Sequence, residues 1–153
     1  MLQAGDLAPE VALPDDHGTV HRLSDRRGSW TVIYFYPKDD TPGCTKEACA
    51  FRDLKKDLQK LGANGLGVSA DDVASHVKFR DKHGLPFTLL SDPEHVAAEA
   101  YGVWVEKSMY GRTYMGIERA TLLVGRDGTI ARVWRNVKVP GHVDDVLAAA
   151  KAL

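Results

Sequence analysis

The chain has 153 residues, is 44% hydrophobic and 27% charged, and carries a formal net charge of −1 with histidines neutral. That length supports one domain, residues 1–153, with a core that needs no metal or disulfide staples. The near-neutral balance, without a long basic run, excludes nucleic acid and anionic membrane as expected partners, and no apolar run approaches the ~20 residues of a membrane span.

Met1-Leu2-Gln3-Ala4-Gly5-Asp6 has neither a basic n-region nor an apolar h-region, so no secretory signal is expected and the cytoplasm is the expected compartment. Val11 to Leu23, with Asp16-His17-Gly18 inside it, reads as an N-terminal hairpin. Val32-Ile33-Tyr34-Phe35-Tyr36 is a β-branched and aromatic run closed by Pro37, the pattern of a buried central strand. After the loop Pro37 to Asp40, Thr41-Pro42 reads as an N-cap followed by proline in the first helical turn. That helix is expected to run to about Leu61, with Gly62 as its stop. Leu66 to Ala70 is a second strand, and Asp71 or Asp72 caps a helix ending near His83-Gly84. Thr88 to Leu90 is a short strand, and Glu94 to Tyr101 a short helix. The stretch from Val105 to Gly116 reads as a loop. Two strands, Thr121 to Val124 and Thr129 to Trp134, flank the hairpin signal Asp127-Gly128. Val143, Val146, Leu147 and Ala150 recur at helical spacing near the end. Strands alternating with helices, followed by a hairpin, predict an α/β fold with a central mixed sheet.

There are two cysteines, Cys44 and Cys49. A bridge between them closes a very small loop and is poor structural glue, so in a reducing compartment the pair reads as redox-active or metal-binding. Cys44 falls in the first helical turn, where free N–H groups and the positive end of the helix dipole favour an anion. The thiolate is the reactive form of cysteine. At ~100° per residue Cys49 points about 140° away from Cys44, and their Cα atoms lie roughly 8–9 Å apart on an intact helix. A disulfide needs about 4.4–6.8 Å. The two can bond only if the first turns unwind. Ala48, Phe51, Leu54, Leu58 and Leu61 form the apolar stripe of this helix, with Cys44 near its edge and Cys49 on the polar side.

Each residue also has a plainer reading. A lone helical cysteine is commonly a small buried hydrophobe. Thr41 alone is a cap, Glu47 a first-turn dipole partner, Arg119 a surface or strand-edge charge, and Trp104 core. The C-x4-C spacing, with no histidine nearby, misses the usual zinc spacings. The six histidines are scattered and none is assigned a catalytic role.

The run from Tyr34 to Cys49 resembles the active-site motif of peroxiredoxins, Pro-x-x-x-Thr/Ser-x-x-Cys, met here by Pro37, Thr41 and Cys44. Cys49 five positions on, with Thr-x-Glu-Ala between, is similar to the bacterioferritin-comigratory (Q-type), atypical two-cysteine subgroup. The resemblance continues through Gly67-Val68-Ser69, Leu85-Pro86-Phe87, Leu90-Ser91-Asp92, Tyr101-Gly102-Val103-Trp104, Met109-Tyr110-Gly111, Arg119-Ala120-Thr121 and Asp127-Gly128. It departs at Leu122, where the subgroup often has Phe. It implies a thioredoxin-like three-layer fold with an N-terminal β-hairpin extension. It also implies roles: Cys44 the peroxidatic nucleophile, Cys49 the resolving cysteine, Thr41 a hydroxyl partner of the thiolate or peroxide, Arg119 a charge reaching the site from a distant strand, and Pro37 a shield of the pocket. The backbone N–H groups of Gly43 and Cys44 complete the expected substrate-binding set. The implied reaction reduces hydrogen peroxide and organic hydroperoxides through a Cys44 sulfenic acid, resolved as a Cys44–Cys49 disulfide and returned by thioredoxin or a similar dithiol. No cofactor is implied, because the electrons pass through the thiols. A monomer is expected, because the resolving cysteine lies in the same helix. The alternative is a redox sensor or thioredoxin-fold binding module switched by the same disulfide without turnover.

Overall fold

The computed structural model describes residues 1–152. In chain order its elements are β1 (Ala12–Pro14), β2 (Val20–Arg22), β3 (Trp30–Phe35), α1 (Pro42–Asp53), α2 (Lys55–Lys60), β4 (Ala63–Ser69), α3 (Val73–His83), β5 (Thr88–Ser91), α4 (Val96–Ala100), β6 (Trp104–Met109), β7 (Arg112–Ile117), β8 (Ala120–Val124), β9 (Ile130–Trp134) and α5 (His142–Lys151). Five strands form one mixed sheet in the order β5-β4-β3-β8-β9. β3 pairs in parallel with β4 and antiparallel with β8, and so sits at the centre.

The strand at the centre explains the layering. From Val32 to Phe35 no side chain is more than 1% exposed. Successive side chains point to opposite faces. Ile33 and Phe35 pack with Leu66, Val68 and Leu122 under α4 and the N-terminal hairpin. Val32 and Tyr34 pack with Phe51, Phe79 and Val146 under α1, α3 and α5. Two cores on either side of one sheet give the three-layer, thioredoxin-like arrangement implied by the resemblance, and β1–β2 is the N-terminal hairpin. Gly67 serves this packing by its missing side chain. A Cβ there would lie 2.8 Å from Cζ and Oη of Tyr34, so glycine lets the phenol lie across β4.

The caps follow the expected chemistry. Asp72 accepts the Ser75 N–H at the start of α3. Gly84 ends that helix at φ 59°, in the left-handed region that glycine enters without steric cost.

Two expectations are corrected. The helix after Thr41 is not continuous to Leu61. Leu54 takes φ −101° and ψ 6°, which separates α1 from α2 and turns Leu58 onto the apolar cluster beneath. No proline or glycine marks the bend, so tertiary packing of Leu58 overrides local propensity. The stretch from Val105 to Gly116 is not a loop but the β6–β7 hairpin. Its turn is Tyr110-Gly111, both at positive φ, 52° and 76°. That suits a two-residue hairpin turn, but tyrosine in place of the usual Asn or Asp hides it. Trp104 is half-buried, packs against the core cluster and stacks on His95 with centroids 4.1 Å apart.

Candidate active site

Cys44 occupies the first turn of α1, with Thr41 at the N-cap in extended backbone conformation. Its side chain is 1% exposed and belongs to the core beneath the helix, not to the edge of the apolar stripe. Both cysteines are free, and α1 is intact through them. Cys49 is half-buried.

Arg119 meets Cys44 from far along the chain. It stands in the connection between β7 and β8, not within a strand, as the resemblance had implied. Its carbonyl accepts the Val137 N–H, which fixes the backbone there. Nη2 lies 3.3 Å from Cys44 Sγ, and Nη1 donates to Glu47 Oε1 at 2.7 Å. One guanidinium therefore holds a thiol sulfur and a carboxylate at once, from two separate nitrogens of its planar fork. Gly43 makes room for it: a Cβ at Gly43 would stand 3.2 Å from Nη2.

Glu47 is the residue that sequence reasoning undervalued. It is no exposed dipole partner. It is 0% exposed, and its Oε2 has no hydrogen-bond partner among the described residues. Burial raises its pKa to about 7, against the opposing charge and hydrogen bond of Arg119. A signal was present: Glu47 follows Cys44 by three positions, on the inward face shared with Ala48 and Phe51. Burial works against the charged form of Arg119 as well, but Glu47 and Cys44 outweigh it and raise its pKa.

Thr41 stands at the N-cap position without capping. Its hydroxyl donates to Lys38 O at 2.9 Å, closing the loop ahead of the helix. Its oxygen lone pairs stay available to accept. Pro37 is half-buried just past β3. The structure thus brings Cys44 and Arg119 into contact, with Gly43 beside the guanidinium, and leaves Cys49 on the same helix but unbonded.

Behind this site lies a buried polar network that sequence reasoning did not find. Asp39, in the loop between β3 and α1, accepts from Tyr36 Oη at 2.6 Å and Ser75 Oγ at 2.8 Å, and its Oδ2 lies 2.7 Å from His76 Nδ1. Its own N–H donates to Asp71 at 2.8 Å. Asp39, Asp71 and His76 bring ligand-type atoms within 4.8 Å of one another. Hydrogen bonds already occupy the facing atoms of His76, so the grouping is a polar network.

Residues 4–133 match the family model described as AhpC/TSA family. The chain is 50% identical over 146 residues to a putative Bcp peroxiredoxin of Coxiella burnetii, covering 95% of this chain and 97% of that one. It is 49% identical over 150 residues to the peroxiredoxin Bcp of Bacillus subtilis, covering 98% and 96%. Among solved structures it resembles the bacterioferritin comigratory protein of Xanthomonas campestris, studied for alkyl peroxide reduction. The TM-score is 0.89 at 47% identity, over 93% of this chain and 90% of that one. A PrxQ mutant from Xylella fastidiosa matches at TM-score 0.94 and 40% identity, over 99% and 97%.

Proposed function

The chain belongs to the AhpC/TSA family and is a peroxiredoxin, a thiol peroxidase, and on that premise we propose that Cys44 is its peroxidatic nucleophile and Cys49 its resolving thiol. The observation that carries this is the contact of Arg119 Nη2 with Cys44 Sγ at 3.3 Å, at the start of a helix.

In the proposed cycle the Cys44 thiolate attacks one peroxide oxygen in line with the O–O bond. An S–O bond forms, the O–O bond breaks, and the departing hydroxide or alkoxide takes a proton. Charge moves onto the oxygens in that step. Arg119 and the first-turn N–H groups of Gly43 and Cys44 are the donors suited to receive it, while the Thr41 oxygen, whose proton goes to Lys38 O, is placed to accept from the hydroperoxide O–H. Pro37 closes the other side. The product is Cys44 sulfenic acid with water or an alcohol. The Cys49 thiolate then attacks that sulfur, the S–O bond breaks, the departing hydroxide takes a proton to leave as water, and a disulfide forms. For this the first turns of α1 unwind, because an intact helix holds the two Cα atoms roughly 8–9 Å apart. A thioredoxin-like dithiol returns both thiols by exchange.

Replacing Cys44 with Ser is expected to abolish peroxide consumption in a thioredoxin-coupled NADPH assay, and full activity in that variant would overturn the assignment. Replacing Cys49 with Ser leaves one round of sulfenic acid formation, seen by stopped-flow fluorescence, and stops turnover with thioredoxin. Steady turnover of that variant with thioredoxin contradicts the resolving role.

The same reading takes residues 1–153 as one catalytic domain that works as a monomer in the cytoplasm. No helix among the described residues is long and apolar enough to cross a membrane. Light scattering coupled to size exclusion tests the monomer.

A further inference from the structure

The loop from Pro37 to Thr41 sets where α1 begins, and so where Cys44 Sγ and the first-turn N–H groups stand. The network behind it determines how firmly that loop is held. His76, on α3, is 0% exposed. Its Nε2 lies 2.9 Å from Leu90 O and its Nδ1 lies 2.7 Å from Asp39 Oδ2. A carbonyl oxygen only accepts, so Nε2 carries a proton. A neutral ring would then turn a bare Nδ1 lone pair toward a carboxylate. Tyr36 Oη and Ser75 Oγ donate to the two oxygens of Asp39, so it is set as an acceptor toward its other neighbours. With an acceptor facing each ring nitrogen, the arrangement is satisfied when both carry protons.

We propose that His76 is a positioning residue for the peroxidatic step: as a buried imidazolium it clamps Asp39, and through it the Pro37–Thr41 loop, against α3 and the end of β5. This rests on the reading of Cys44 as the nucleophile.

The groups that face the ring are few. Asp39 comes from the loop after β3, Asp71 from the loop before α3, and Tyr36 from the end of β3 with centroids 6.4 Å apart. Burial disfavours the charged ring. The Asp39 hydrogen bond and charge, the Leu90 carbonyl and the Asp71 charge outweigh it and raise the His76 pKa above the ordinary histidine value. The same contacts favour the clamped, doubly protonated ring. A neutral substitute keeps at most one of the two donated bonds and removes the charge that Asp39 faces.

The experiment compares two reactions of Cys44, with Cys49 replaced by Ser in every protein so that one thiol reports. Peroxide oxidation needs the thiolate and aligned donors, whereas iodoacetamide alkylation needs the thiolate alone. His76→Gln is expected to slow oxidation by at least about tenfold, the scale of a small misplacement of reacting groups. Alkylation stays within about twofold on the same scale. Parallel loss of both rates, or loss of neither, overturns the proposal. In ¹⁵N-histidine spectra of the wild type, the signals missing from His76→Gln are expected to show a bonded proton on both ring nitrogens at pH 7. A single protonated nitrogen also overturns it. Where His76→Gln does not fold, Ser75→Ala removes one donor to Asp39 and is expected to slow oxidation in the same sense, and an unchanged rate counts against the clamp. A wild-type chain inert to peroxide overturns the Cys44 reading itself, whereas a reactive wild type with an equally reactive His76→Gln overturns only the positioning role.

Discussion

Replacing Glu47 with Gln isolates what a buried carboxylate does beside the Cys44 thiol. Glu47 is fully buried, bound at 2.7 Å to Arg119, and its pKa rises from 4.5 to about 7 because burial outweighs the arginine. A raised pKa means that the folded chain binds this proton more tightly than the unfolded chain does. The stabilisation is therefore complete below pH 4.5 and is lost as pH rises to about 7. The interval corresponds to about 3 kcal/mol, at 1.36 kcal/mol per unit. Glutamine keeps the shape and cannot titrate. Urea denaturation of both proteins, fully reduced, at several pH values gives the difference between them directly. The wild type is expected to lose about 3 kcal/mol relative to Glu47→Gln between pH 4.5 and 7. Parallel stability curves across that window refute the reasoning. A kinetic cycle completes the test. If Glu47 acts only by holding Arg119, its substitution slows peroxide oxidation in the wild type and has no further effect in Arg119→Ala. Removing that arginine donor is itself expected to cost on the order of a hundredfold in rate.

Gly67→Ala forces a Cβ to within 2.8 Å of the Tyr34 ring on a packed sheet, and is expected to destabilise the fold by about 1–3 kcal/mol in thermal unfolding. Asp72→Ala removes the acceptor of the Ser75 N–H at the start of α3. It is expected to cost about 1 kcal/mol, read as a lower urea midpoint with unchanged slope.

Long, strongly patterned segments were legible because their signals are local. The run from Val32 to Tyr36 announces a strand buried on both faces, and Asp72 with Gly84 brackets α3 by cap chemistry alone. Cys44 was legible for the same reason, since its place after Thr41-Pro42 puts it at a helix start whatever surrounds it. The bend at Leu54 was not, because it depends on where Leu58 finds apolar partners across the interior. Nor was the β6–β7 hairpin, whose turn places a tyrosine where propensity argues against one.

By itself the sequence determined the α/β layering and the place of Cys44 at the start of a helix, because periodicity and cap chemistry act over a few neighbouring residues. Tertiary structure alone decided what surrounds that cysteine. Arg119 lies 75 residues from Cys44 and 72 from Glu47, and His76 lies 37 from Asp39. At such separations no local pattern records a contact. Burial, which decides whether Glu47 is a surface charge or a titrating partner of Arg119, exists only once the chain has closed around it.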